Sequence, residues 1–157
     1  MSRTIELTQD KVAIVDDDIV VELGKYSWYL DSYGYAMRHS PRGDGKQHSI
    51  AMHRNILGLA YGDGKQVDHI NHDKLDNRRE NLRICSYAQN QMNQRPQNGT
   101  SSYKGVNFHK QRGKWQARIT IDGKQKYLGS FKIEELAALA YDMAAVYNFG
   151  EYACTNF

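Results

Sequence analysis

An aspartate followed directly by a histidine, Asp68 and His69, has the residue types that phosphodiester hydrolysis needs. Such hydrolysis requires an activated water, a cation that stabilises charge on the phosphate, and help for the leaving oxygen. A histidine can act as the general base at neutral pH, and a carboxylate is a hard ligand for Mg²⁺ or Mn²⁺. The pair alone is weak support for a catalytic site, because most such pairs are surface polar residues.

The residues around the pair strengthen the interpretation. The segment 67–73 reads VDHINHD, the segment 76–83 reads DNRRENLR, and Asn90 and Asn93 follow. The pattern predicts a strand over 67–70, a polar loop over 71–80, a second strand over 81–85 and a helix to about Asn93, opened by a capping box at Ser86. Because neighbouring strand side chains point to opposite faces, we expect Asp68 and His69 at a strand end that enters a loop.

These motifs, over roughly residues 50–95, resemble the HNH endonucleases, whose nuclease core is a ββα-metal fold. The resemblance implies that His69 is the general base, that Asp68 and Asn90 are the metal ligands, and that Asn81 holds the loop and orients the histidine. It also implies one divalent cation, Mg²⁺ or Mn²⁺, rather than zinc, because the last ligand position is Asn and not His.

Several neighbouring residues have more than one interpretation at this point. Asn93 lies one turn beyond Asn90 and could be a ligand, a phosphate contact or a cap. His72 is either a loop side chain or a ligand, and His53 either packs or caps a helix predicted over 53–61. The arginines of the loop contact phosphate or balance the nearby carboxylates.

The positive charge of the chain is concentrated in one segment. Residues 96–132 contain eight Lys and Arg and one acid, Asp122, whereas residues 133–157 contain four acids and no Lys or Arg. A concentrated basic stretch suits a polyanion such as DNA, although a solvated charged surface explains the charge equally well. A polar stretch punctuated by Pro and Gly precedes it and predicts a linker over 96–102.

The segment after this linker predicts three strands and one helix. The strands are expected over 105–109, 115–121 and 126–131, with a hairpin turn at Asp122-Gly123, and the helix over about 134–148. The motifs YKGV at 103, GKW at 113, YLGSF at 127, AYD at 140 and the final NF resemble the plant ethylene-response-factor (Apetala-type) DNA-binding domain. That resemblance implies a three-stranded antiparallel sheet, backed by one helix, that lies in the major groove of double-stranded DNA.

By this resemblance, eight residues would contact DNA: Lys104, Asn107, His109, Lys110, Arg112, Arg118, Thr120 and Tyr127. Arg112 and Arg118 could read guanine, and Lys104 and Lys110 could contact phosphate. Asn107 and Thr120 stand where the plant domains commonly have arginine, which puts sequence-specific reading in doubt. Ile133 stands at the helix cap position, where Thr would satisfy a free backbone N–H.

The N-terminal residues 1–50 read as short strands and turns, with a short helix within 17–26. Their aromatic cluster, Tyr26 to Tyr35, forms a small core or stacks on DNA. We therefore predict an α+β protein with a strand-rich segment at 1–50, a nuclease core at 51–95, the linker, and a DNA-binding domain at 103–157.

Composition limits the class of protein. No run of about 18 apolar residues could span a membrane, and the N-terminus lacks the apolar core of a signal peptide. We expect an intracellular protein, in the cytoplasm of a bacterium or of a phage-infected cell, with double-stranded DNA as partner and a monomer favoured. The sequence predicts a metal-dependent endonuclease of the homing or phage type. A non-catalytic DNA-binding regulator and a phage nuclease of low specificity remain alternatives.

Overall fold

The computed structural model describes residues 1–42, 47–95 and 99–157, and its chain divides into two compact units, Met1–Tyr87 and Ala88–Phe157. The mixed helix and strand content confirms the predicted α+β class. In the described residues, no helix is long and apolar enough to cross a membrane.

Where the structure describes it, the first unit contains three small antiparallel sheets and two short α-helices. Its elements, in order, are β1 (Ser2–Glu6), β2 (Val12–Asp16), α1 (Val20–Leu23), β3 (Tyr29–Leu30), β4 (Ala36–His39), β5 (Ser49–Ala51), α2 (Met52–Ile56), β6 (Gln66–His69) and β7 (Leu82–Cys85). The sheets are β1-β2, β3-β4-β5 and β6-β7. Alternate residues of β2, Ala13 and Val15, point into the core, as the period of a half-buried strand requires.

Two helices of this unit are shorter than the sequence predicts. The helix expected within 17–26 is a 3-10 turn, Asp17–Ile19, followed by the single turn of α1. The helix expected over 53–61 ends at Ile56, because the chain turns into the left-handed region at Gly58, where φ is 65°. Of the aromatic cluster, Trp28 is in the core and donates its indole N–H to the carbonyl of Leu23, whereas Tyr33 is exposed.

The N-terminal hairpin holds the loop between β6 and β7. The backbone N–H of Ile14 donates to the carbonyl of Leu75, and the N–H of Asn77 donates to the carbonyl of Ile14, at 2.8 Å each. Leu75 packs on the same core as Ala13 and Val15. Residues 1–50 and this loop therefore belong to one compact unit, although they are far apart in sequence.

The second unit begins within α3 (Tyr87–Met92) and continues with β8 (Val106–His109), β9 (Lys114–Ile121), β10 (Lys124–Phe131) and α4 (Glu134–Phe149). Its antiparallel sheet has the order β10-β9-β8. The inward residues of β9 pack on the alanines of α4, whose small side chains let helix and sheet approach closely. In the described residues, no side chain caps α4 at Ile133.

The last residues of the predicted nuclease core pack within this second unit. Met92 contacts the cluster formed by Ile119 and Tyr141, and its carbonyl accepts a hydrogen bond from Nζ of Lys104 at 2.6 Å. The end of α3 is thus part of the second compact unit, whereas the sequence assigns it to the segment 51–95. Pro96–Asn98 of the predicted linker lie outside the described residues, and the domain limits remain predictions.

Candidate active site and nucleic-acid interface

Asp68 and His69 are the last two residues of β6, and both are buried, with 6% and 5% of their surface exposed. Asp68 lies opposite Arg83 in the β6-β7 pair. Nε and Nη2 of Arg83 donate to Oδ2 of Asp68 at 2.9 and 2.6 Å. A buried carboxylate needs such compensation, because an unpaired charge in this position is strongly destabilising.

Nε2 of the His69 ring faces Asn77, whose side chain is almost completely buried. Oδ1 of Asn77 lies 3.4 Å from Nε2 of His69, and Nδ2 of the same amide donates to the carbonyl of Lys74. An amide oxygen only accepts hydrogen bonds, so Nε2 carries the proton in neutral His69. Nδ1 is therefore the nitrogen that can accept a proton.

Burial lowers the pKa of His69 below its usual value, and the Asn77 hydrogen bond and nearby carboxylates only partly oppose this shift. The charged form is disfavoured because the ring has lost most of its contact with water. His69 is therefore neutral at physiological pH, which is the state that a general base requires.

Asn81 fastens both ends of the loop that follows His69. Its Oδ1 accepts a hydrogen bond from the N–H of Asn71 at 3.0 Å, and its Nδ2 donates to the carbonyl of Asp76 at 2.7 Å. Its own carbonyl accepts from the N–H of Ile70 at 2.9 Å. These contacts are what a loop-holding residue would make. The Asp76 carboxylate adds hydrogen bonds to Asn71 and to Arg78.

His53 is a residue of this site that sequence reasoning left as a packing or capping residue. Its ring meets the His69 ring edge to face, with centroids 5.2 Å apart, and Tyr35 lies 5.3 Å from His53 and 6.0 Å from His69. The contact joins α2 to the end of β6, and no spacing in the sequence indicates it. Burial, with a smaller effect from His69, lowers the pKa of His53 to about 3.

The low pKa of His53 predicts a loss of stability in acid. The unfolded chain binds the His53 proton below a pKa of about 6.5, whereas the folded chain stays neutral down to about 3, so stability falls as pH falls through this window. At pH 5 the loss is about 2 kcal/mol relative to pH 7.5. Denaturant unfolding of the wild type and of His53→Leu at both pH values measures it.

Between pH 7.5 and pH 5, the free energy of unfolding of His53→Leu should fall by about 2 kcal/mol less than that of the wild type. His39→Leu, which removes an exposed histidine at the end of β4, should follow the wild type. An equal decline in the wild type and His53→Leu would contradict the prediction.

The other predicted or possible metal ligands are Asn90, Asn93 and His72. Asn90 is in α3 and Asn93 directly after it, in the second compact unit. His72 is in the loop after β6, with φ of 66°, and its N–H donates to the carbonyl of His69. Among the described residues, no three His, Cys, Asp or Glu side chains form a group that could hold a metal ion.

The outer face of the β8-β9-β10 sheet contains five of the eight predicted DNA contacts. Register pairs Asn107 with Gln116, Arg118 with Tyr127, and Thr120 with Gln125, so these side chains share the face opposite α4. They form the outer face together with His109, which is opposite Lys114. The structure therefore brings together Asn107, His109, Arg118, Thr120 and Tyr127.

Arg118 is held in place on this face. Its guanidinium donates to Oε1 of Gln125 at 3.1 Å and to Oε1 of Gln116 at 3.0 Å. A shallow concavity surrounds it, lined also by His109, Arg112 and Tyr127. Within the described parts of the chain, Nδ1 of His109 is buried without a hydrogen-bond partner. The face thus offers one oriented cation, the guanidinium of Arg118.

The other predicted contacts differ in their placement. Lys110 and Arg112 are exposed in the 3-10 turn between β8 and β9. Lys104 is half-buried, and its ammonium donates to the carbonyl of Met92, inside the unit rather than on the outer face. Burial lowers the pKa of Lys104.

Comparison with known proteins gives matches to nucleases and, for the C-terminal part, to plant transcription factors. The family model for HNH endonuclease matches residues 51–92. An uncharacterized HNH endonuclease of Acanthamoeba polyphaga mimivirus is 33% identical over 139 residues, which cover 85% of this chain and 68% of the viral protein.

The C-terminal part is similar to plant proteins. AP2-like ethylene-responsive transcription factors of Arabidopsis thaliana and Oryza sativa subsp. japonica are each 52% identical over 61 residues, or 38% of this chain. The match spans only 11% and 10% of those plant proteins. The similarity is thus to one module of a larger protein.

Proposed function

Because the chain belongs to the HNH endonuclease family, we propose that it hydrolyses phosphodiester bonds in double-stranded DNA with the help of one divalent cation. The observation that carries this proposal is the buried Asp68-His69 pair at the end of β6, followed by a loop that Asn81 fastens. A homing-type or phage nuclease would use such a site. DNA cleavage by the purified chain in Mg²⁺ or Mn²⁺, and its loss in EDTA, tests the proposal.

In this mechanism His69 is the general base. Its Nδ1 accepts a proton from the attacking water, while Asn77 keeps the proton of the neutral ring on Nε2. Because burial lowers the pKa of His69, the base is ready at neutral pH. Asn81 acts indirectly, since it holds the loop that leaves the strand at His69.

Asp68 and Asn90 would hold the cation, which supplies charge stabilisation at the phosphate when bound. Carboxylate and amide oxygens are hard donors, and Mg²⁺ commonly uses one or two protein ligands with water and substrate oxygens. The last ligand position of the family pattern is Asn90 and not a histidine, which favours Mg²⁺ or Mn²⁺ over zinc. Asn90 lies in the other compact unit, so its part rests on the family resemblance and not on a distance.

Loss of a ligand should raise the metal concentration needed for cleavage. We expect Asn90→Ala to raise the Mg²⁺ concentration at half-maximal rate by about tenfold or more, and Asp68→Asn to do the same. Asn93→Ala is the matched control, since it removes the neighbouring amide. If Asn93→Ala shifts the metal dependence and Asn90→Ala does not, the ligand is Asn93.

The C-terminal module would bind the DNA through the outer face of its sheet. The charge of the segment 96–132 and the oriented guanidinium of Arg118 support this assignment. The major groove of B-DNA admits a β-sheet face of this kind, and arginine pairs with the edge of guanine. Lys110 and Arg112, exposed beside the face, would contact phosphate or base edges.

Arg118→Ala should weaken binding to a preferred duplex by about tenfold, the usual cost of one arginine-guanine pair. Lys126→Ala is the matched control, because it removes the same charge from a residue paired with inward-facing Ile119. Fluorescence anisotropy with labelled duplex at fixed salt measures both. Equal losses for the two variants would mean that only net charge matters.

A nuclease of low specificity is the second candidate. Asn107 and Thr120 occupy outer-face positions where the plant domains commonly have arginine, and both are exposed in this chain. With fewer arginines, the face would bind DNA more through phosphates than through bases. Mapping the cut ends on a plasmid separates the candidates, because a specific enzyme gives discrete ends.

A further inference from the structure

His53 contacts the proposed general base, His69, but has no role in the proposed mechanism. Its ring meets the His69 ring at 84°, edge to face, with centroids 5.2 Å apart. It is mostly buried, and its pKa of about 3 keeps it uncharged at any pH where the protein would act. A neutral ring in this place neither attracts a phosphate through a charge nor takes a proton from water.

The position of His53 relative to β6 is fixed by its neighbour Arg54. Nη1 of Arg54 donates to the carbonyl of Lys65 at 2.6 Å, directly before β6 begins at Gln66. The same guanidinium donates to the carbonyl of Ala60 and pairs with Asp63. Helix α2, which carries His53, is thus tied to the start of the strand that ends in His69.

Tyr35, directly before β4, also contacts both histidine rings. Its ring lies 5.3 Å from His53 and 6.0 Å from His69, and Nζ of Lys74 lies 4.6 Å above its ring centroid. Nζ of Lys74 also donates to the carbonyl of Tyr33. Two aromatic rings therefore pack on the His69 imidazole, in addition to the Asn77 hydrogen bond at Nε2.

We propose that His53 is a positioning residue, whose ring keeps the His69 imidazole in the orientation in which Nε2 faces Asn77. The contact of Nε2 with Oδ1 of Asn77 is long, at 3.4 Å, and a hydrogen bond of that length is weak. Edge-to-face packing restrains rotation of the His69 ring without adding a charge. The proposal rests on the proposed function, since positioning matters to a reaction only if His69 takes part in it.

The test compares His53→Leu with His53→Phe, which keeps an aromatic ring at the site. We measure single-turnover cleavage of duplex DNA, the affinity for that DNA, and the ¹⁵N-¹H imidazole spectrum of His69 in the full chain. His39→Leu is the control, because His39 stacks on Tyr29 in the same sheet.

We expect His53→Leu to cleave about 10- to 100-fold more slowly, with unchanged affinity, because a small misplacement of a catalytic group costs this much. Its His69 spectrum should show mixed tautomers, whereas His53→Phe and His39→Leu should keep one tautomer and most of the rate. If His53→Leu leaves both the rate and the His69 spectrum unchanged, the proposal is overturned.

Two other outcomes are equally informative. Slower cleavage with an unchanged His69 spectrum would mean that His53 acts on the DNA directly, which also overturns the proposal. If the wild type does not cleave DNA with any divalent cation, the proposed function fails. The spectrum then still decides whether His53 orients His69.

Discussion

Replacing His69 by alanine is expected to slow single-turnover DNA cleavage by about 10²- to 10⁴-fold, the usual contribution of a general base. The ring is buried at the end of β6, and burial keeps it neutral, so the substitution removes the group that we propose takes the proton from water. Affinity for DNA should stay within about twofold, since binding is assigned to the other unit.

His72→Ala is the matched control for this prediction. It removes a second histidine from the same loop, and its backbone N–H, which donates to the carbonyl of His69, is kept. We expect its rate to stay within about threefold of the wild type. Equal losses of cleavage rate for His69→Ala and His72→Ala would mean that His69 is not the specific base. An unchanged rate for His69→Ala would mean that the base does not lie at this site.

Gly105→Ala should destabilise the second unit by about 2–5 kcal/mol, from a steric clash together with an unfavourable backbone conformation. Gly105 has φ of 74°, and a Cβ there would lie 2.0 Å from Cδ2 of Tyr141 and 2.6 Å from the carbonyl oxygen of Arg118. Tyr141 is buried, and Arg118 is held in β9 by its N–H bond to the Gly105 carbonyl. Neither neighbour can move freely. Thermal unfolding measures the effect.

Gly113→Ala separates the two causes. Gly113 also has a positive φ, 58°, but among the described residues no atom lies within 4 Å of a Cβ built there. Gly113→Ala should lower the free energy of unfolding by about 1–2 kcal/mol, the cost of the backbone conformation alone. Destabilisation of the two variants by the same amount would mean that the close approach of Gly105 to Tyr141 is not a constraint on the fold.

The elements with strong local patterns could be predicted from the sequence. The strands β8 to β10 and the helix α4 lie within about two residues of their predicted limits, because alternation, the Asp122-Gly123 turn and the 3.6-residue period act locally. The strand end at His69 also follows from local pattern, since a polar loop comes directly after it.

What the sequence did not indicate depends on contacts between distant residues. The hydrogen bonds of Ile14 with Leu75 and Asn77 join the N-terminal hairpin to the nuclease loop, and no local pattern encodes them. The same holds for the contact of His53 with His69, made across two elements. Lys104 was predicted to face DNA from its position in a motif. In the structure its ammonium donates to the carbonyl of Met92, inside the same unit.

We propose that this chain cuts DNA with His69 and a divalent cation. The most direct measurement incubates supercoiled plasmid with the wild type and with His69→Ala, in Mg²⁺, in Mn²⁺ and in EDTA. We predict relaxed or linear plasmid only for the wild type with a cation, while His69→Ala binds the DNA and leaves it intact. Tight binding by the wild type with no cleavage in any divalent cation would contradict it, and would leave a DNA-binding protein that has the fold without the reaction.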